Sequence, residues 1–264
     1  LNTMLNILKQ MAIITIIILG ISSCACNSQY QRLSAVDTLP RKAFVHLEKT
    51  LTIKTCNPTQ CVSMNFRSAA SGFIVNIQSD GAYIITAAHF CENATFSMKN
   101  TTVSARYKAS RLDGTEFDGV SLHYQRDIDV CLIYSEGMTE EVSTVSLARS
   151  GPRPGEKIYN IGAPQSIVGP NMVPILEGRF NGELGQNAYY TLPAAPGSSG
   201  SMIINEQGEL IGMVHSVFVR FHVLTLSTRH KDLNEFIQKY LHKYILYKTV
   251  MNELELDDIF TAKN

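Results

Sequence analysis

Between about Ala43 and Ser227 the chain repeats short apolar runs, each bounded by Gly, Asn, Asp or Pro. The clearest are 72–77, 82–86, 130–134, 157–161, 201–204 and 210–214. Short strands at this spacing, with no helical pattern between them, predict an all-β barrel or sandwich. Gln78-Ser79-Asp80-Gly81 and Asn205-Glu206-Gln207-Gly208 read as hairpin turns. The pattern then changes: Leu233, Phe236, Ile237, Tyr240, Leu241, Tyr244 and Ile245 fall at helical spacing, with Asp232, Glu235, Lys239 and Lys243 between them. That predicts an amphipathic helix packed on the β-domain. The acidic tail after it, and the aperiodic polar stretch from Asn27 to Arg41, predict no element.

The chain has 264 residues and is 45% hydrophobic, enough for a substantial core. Its 23 basic and 23 acidic residues balance, and no basic block supports capture of nucleic acid. Near the start, Lys9 precedes an apolar run from Met11 to Ile21 that is too short to span a bilayer but suits the core of an export signal. Ile21-Ser22-Ser23-Cys24 resembles the lipobox of bacterial lipoproteins, which makes Cys24 a candidate lipid anchor. An ordinary secretory signal is the alternative. Both predict an exported protein, periplasmic or at the cell surface. The expected divisions are a signal over 1–23, a linker over 24–42, a domain over 43–245 that includes the helix, and a tail over 246–264.

Export permits disulfides among the six cysteines, Cys24, Cys26, Cys56, Cys61, Cys91 and Cys131. Asn57-Pro58 between Cys56 and Cys61 favours a turn that this pair can clip. A metal site competes with that reading, but no second close pair of Cys or His accompanies it. Neither a metal nor a cofactor is expected.

Three stretches carry candidate chemistry. Pro196-Gly197-Ser198-Ser199-Gly200-Ser201 is a glycine-rich loop ahead of the apolar run Met202-Ile203-Ile204. Such a loop can expose the Ser199 hydroxyl and gather backbone N–H groups around a developing oxyanion. Thr86-Ala87-Ala88-His89 ends a strand-like run, with two small residues leaving the imidazole uncrowded. Histidine is the side chain suited to proton transfer near neutrality. Asp129 opens the apolar run Val130-Cys131-Leu132-Ile133, where it can orient a histidine. Taken singly, each reads as an ordinary turn, strand end or cap.

Together they resemble the trypsin-like, chymotrypsin-fold serine proteases. Thr86-Ala87-Ala88-His89 is similar to that family's T-A-A-H motif, Asp129-Val130-Cys131-Leu132-Ile133 to its aspartate strand, and Gly197-Ser198-Ser199-Gly200-Ser201 to its nucleophile loop. Ala70-Ser71-Gly72-Phe73, Pro154-Gly155 through Gly162, and Gly208-Glu209-Leu210-Ile211-Gly212 resemble accessory motifs of bacterial members. The resemblance covers roughly 71–241. It implies two packed six-stranded antiparallel β-barrels with a C-terminal α-helix, a bacterial form without a PDZ domain, and a monomer. It also implies a serine endopeptidase of protein or peptide substrates, with His89, Asp129 and Ser199 catalytic and the N–H groups of Gly197 and Ser199 forming the oxyanion hole. A trypsin-fold binding module without activity is the alternative.

Five points bear on the match. Asp127 competes with Asp129 as the acid, although the residues after Asp129 fit the family strand without a gap. Met202 stands where most members have proline. His215 and Ala194 are the candidate substrate-binding residues, but His215 lies one residue further from Gly212 than the pocket histidine of glutamate-specific relatives. That offset turns it towards Asp129 instead. The stretch 191–195 holds no aspartate, so a preference for Lys or Arg is not expected. Cys91 and Cys131, each two residues past a triad member, either bridge or stay as buried thiols.

Overall fold

The computed structural model describes residues 39–92, 100–218, 221 and 223–249. The expected signal over 1–23, the Cys24 anchor, most of the linker and residues 250–264 lie outside the described residues. Six strands form the first closed barrel: β1 (Phe44–Cys56), β2 (Cys61–Gln78), β3 (Gly81–Ala87), β4 (Thr101–Ser110), β5 (Glu116–Gln125) and β6 (Val130–Glu136), in the order β1-β2-β3-β6-β5-β4. Six more close the second: β7 (Lys157–Ile161), β8 (Ile175–Leu184), β9 (Asn187–Thr191), β10 (Met202–Ile204), β11 (Leu210–Val217) and β12 (Leu224–Thr228), in the order β10-β11-β12-β9-β8-β7. Every pairing is antiparallel. Closure removes unpaired sheet edges around each barrel.

Each barrel is filled by its own apolar cluster. Leu47, Ile74, Ile84 and Ile133 lie at the centre of the first, and Ile158, Phe180, Tyr190 and Ile203 at the centre of the second. Burying one such side chain is worth about 1.5–3 kcal/mol. Both expected hairpin turns are present: Gln78 pairs with Gly81 across Ser79-Asp80, and Asn205 Oδ1 accepts the N–H of Gln207 and of Glu209. Cys56 and Cys61 are bridged, and Asn57 Oδ1 organises that turn by accepting the N–H groups of Thr59 and Gln60. The β1–β2 hairpin is far longer than the run at 72–77 suggested, because its distal half (61–68) is solvent-exposed and carries no burial pattern.

The C-terminal helix, α2, begins as His230–Phe236, passes through a π turn at Ile237–Leu241 and runs to 249. It starts beside the second barrel, where His230 Nε2 lies 3.0 Å from the Ala148 carbonyl. It ends on the first, where Tyr240 stacks on His123 with ring centres 3.8 Å apart and Tyr244 donates to the Leu122 carbonyl. Leu233, Phe236 and Ile237 are its buried stripe. Among the described residues no helix is long and apolar enough to cross a membrane.

Candidate active site

The register of the first barrel brings His89 and Asp129 together. β3 pairs with β6 so that Ala87 lies opposite Val130 and Thr86 opposite Cys131, and the two chains continue past this edge side by side. Beyond β3, Ala88–Cys91 forms one helical turn, α1. The Ala88 N–H donates to the Asp129 carbonyl (3.1 Å) and the His89 N–H to Asp129 Oδ1 (2.9 Å). Asp129 Oδ2 lies 2.8 Å from His89 Nδ1. One carboxylate thus holds both the backbone and the ring of His89. Asp129 takes φ +53°, a left-handed conformation that aspartate tolerates better than most residues, and this turns its carboxylate back under α1. Asp127 points elsewhere, accepting from Gln125 Nε2.

This grip sets the electrostatics. The Asp129 hydrogen bond raises the His89 imidazole above the ordinary histidine value, against the opposing effect of partial burial. Three further ties fix the segment. Cys91 and Cys131 are bridged, which resolves the alternatives left open by the sequence. Buried Lys49 donates to the Phe90 carbonyl (2.7 Å) and to the Glu92 carbonyl, at the end of α1. Thr228 of the second barrel donates to the Ile128 carbonyl (2.7 Å).

The loop Pro196–Ser201 is organised by its backbone. Gly197 has φ +94°, and a Cβ there would lie 2.5 Å from the Ala163 carbonyl oxygen, so only glycine fits without strain. The Pro196 carbonyl accepts from the Gln165 N–H, and the Ser198 carbonyl from the Ser201 N–H. In a trans peptide the N–H points opposite its carbonyl. The N–H groups of Gly197 and Ser199 therefore face away from these partners, and neither donates to an acceptor among the described residues. The Ser199 carbonyl accepts the N–H of Ser71 on β2, which seats the loop against the first barrel. No hydrogen bond joins Ser199 Oγ to His89 Nε2 among the described residues.

His215 sits where β11 is irregular, the register against β12 shifting between Val214 and Ser216. Its Nε2 lies 3.1 Å from Asn187 Oδ1 and its Nδ1 2.9 Å from Ser216 Oγ. Burial lowers its basicity, while Asp129 acts to raise it and His89 to lower it. Ala194 is partly buried against the second barrel's apolar cluster. Asn187 and Lys49 bear on the site without any signal in their local sequence; only the barrel register brings them there. Ser71 and Thr86 lie within the motifs Ala70-Ser71-Gly72-Phe73 and Thr86-Ala87-Ala88-His89, yet nothing local gives them a task. Among the described residues no group of three or more His, Cys, Asp or Glu is arranged to hold a metal ion.

The family model of the trypsin-like peptidase domain matches residues 70–213, more than half of the chain. No curated protein matches.

Proposed function

The chain belongs to the trypsin-like peptidase domain family, and from that membership we propose that it is a serine endopeptidase acting through His89, Asp129 and Ser199. The observation that carries this reading is the two-point hold of Asp129 on His89, through Oδ1 to the backbone and Oδ2 to Nδ1. With Nδ1 engaged, Nε2 is left to exchange a proton with the nucleophile and the leaving group.

In the first step Ser199 Oγ bonds to the scissile carbonyl carbon and gives its proton to His89 Nε2. The carbonyl oxygen becomes an oxyanion and accepts from the N–H groups of Gly197 and Ser199. Asp129 stays ionised and stabilises the imidazolium. Collapse breaks the C–N bond, the amine takes the proton from His89, and the acyl-enzyme remains on Ser199. Water then repeats the sequence, releasing the acid and restoring the serine. The Ser199–His89 hydrogen bond forms as substrate binds, when catalytic contacts commonly tighten. His215 and Ala194 are the residues this reading assigns to substrate binding, His215 held by Asn187 and Ser216 and Ala194 packed on the second barrel's apolar cluster.

Export belongs to the same proposal. The two disulfides suit an oxidising compartment, and a lipid on Cys24 would hold the domain at a membrane surface. Intact-mass analysis of the mature protein decides that point: a lipidated chain beginning at Cys24 supports the anchor, and an unmodified start elsewhere refutes it. The activity is tested on casein. Ser199→Ala is expected to lower kcat by about a millionfold with the fold intact, as loss of the nucleophile does in such triads. Wild-type turnover by the purified variant would refute the assignment.

A further inference from the structure

Ser71 lies on β2, fully buried, and each of its polar groups has a partner at the junction of the two barrels. Its N–H donates to the Ser199 carbonyl (2.9 Å), and its carbonyl accepts from Thr86 Oγ1 (2.7 Å), three residues before His89. Its hydroxyl lies between two backbone groups of the second barrel, the Ala163 N–H at 2.9 Å and the Gly197 carbonyl at 2.8 Å. The first can only donate and the second only accept, so the direction of the hydroxyl proton is fixed.

The carbonyl it holds belongs to the residue whose N–H is one of the two oxyanion donors. Glycine reaches both signs of φ at little cost, so the peptide planes on either side of Gly197 have an accessible alternative. A half-turn of the Pro196–Gly197 plane would put a carbonyl oxygen where the donor is needed. The Gln165 N–H on the Pro196 carbonyl (2.6 Å) holds that plane directly, and the Ser71 hydroxyl on the Gly197 carbonyl (2.8 Å) holds the next plane, which links it to the plane carrying the Ser199 N–H. The first lies within the second barrel. The second comes from the barrel that carries His89 and Asp129.

We propose that the Ser71 hydroxyl is a positioning residue for the reaction. It locks the Gly197 backbone so that the Gly197 and Ser199 N–H groups face the developing oxyanion, at a fixed distance from the base. The proposal rests on the serine endopeptidase reading above. It gives a side chain that touches neither substrate nor proton relay a specific effect on the transition state.

The test compares wild type, Ser71→Ala and Ser71→Cys, with kcat normalised to active sites counted by titration. Ser71→Ala is expected to lower kcat about tenfold to a hundredfold, somewhat less than outright loss of an oxyanion donor, with KM nearly unchanged. Affinity for a peptide boronic acid, whose tetrahedral adduct places an oxygen on the same donors, is expected to fall in proportion to kcat/KM. Ser71→Cys keeps the volume but donates weakly and is expected to fall between. A purely structural serine would lower melting temperature and the titratable fraction while leaving kcat per site and boronate affinity at wild-type values; that result overturns the proposal. If Ser71→Ala does not fold, Ser71→Cys decides by the same two numbers. An active wild type with unaffected variants refutes the positioning role alone. A folded wild type that neither hydrolyses peptides nor reacts with the boronate refutes the endopeptidase reading, and the positioning role with it.

Discussion

The two halves of the site are built by different means. In the first barrel a side chain does the organising: the Asp129 carboxylate holds His89 at two points, and a disulfide, Lys49 and a strand register hold the segments that carry them. In the second barrel the backbone does it, through a glycine at φ +94° and two peptide planes turned by their carbonyl partners. The base needs one ring atom presented at one angle, which a carboxylate can supply. An oxyanion needs two N–H groups converging on one point, which only a special backbone can supply. The first half therefore tolerates little change in side chains, and the second little change in conformation.

Asp129→Asn strikes the first half hardest. It is expected to lower kcat by about ten thousandfold, the loss seen when a triad aspartate can no longer fix the tautomer. Asp127→Asn serves as the control and is expected to leave kcat alone; the reverse ranking would move the acid to Asp127. The pH profile sharpens the point. The base must be neutral, so kcat/KM rises with pH through a midpoint that the Asp129 bond holds above the ordinary histidine value. In Asp129→Asn that midpoint moves to lower pH. A wild-type midpoint at or below about 6.5 would contradict the pairing. The same upward shift makes the pair stabilise the fold below the ordinary histidine value, and that contribution is lost as pH rises through the raised one.

Gly197→Ala strikes the second half; if the proposed oxyanion hole is used, the displaced loop loses a donor and kcat is expected to fall about a hundredfold to a thousandfold. Activity within a few-fold of wild type would show that the loop is not set by this glycine. Replacing Cys91 and Cys131 with serine tests how the first half is held. Loss of the bridge is expected to cost about 3–4 kcal/mol of stability, read by denaturant unfolding, with far less effect on kcat than Asp129→Asn. His215→Ala is the smallest effect, on the order of fivefold in kcat/KM for a lost hydrogen bond to Asn187. A loss beyond a thousandfold would put His215 within the catalytic machinery.

The same contrast explains what could be read in the sequence. His89, Asp129 and Ser199 stand on short motifs because each needs a particular local backbone: a strand end, a strand start, a glycine loop. The all-β class is legible in the spacing of the short apolar runs and the two-barrel architecture in the resemblance those motifs carry, and the runs at 82–86 and 130–134 lie within strands β3 and β6. β4 was harder to see, because its inward positions are often small, as at Ala105 and Ala109, so its alternation is faint. The outer half of β2 was invisible because Val62, Met64 and Phe66 face solvent. Ser71, Lys49 and Asn187 act across strands or between barrels, and no local pattern encodes such a contact. For His215 the sequence showed a one-residue offset, and the structure has an irregular register at that point.

Covalent labelling tests the serine endopeptidase assignment most directly. The purified, folded protein is treated with a fluorophosphonate and the modified residue is located by mass spectrometry. A single adduct on Ser199 is expected, formed faster as pH rises through the His89 midpoint and absent from Ser199→Ala. Folded protein that takes no label, or takes it at another residue, would contradict the assignment and favour a trypsin-like fold used for binding alone.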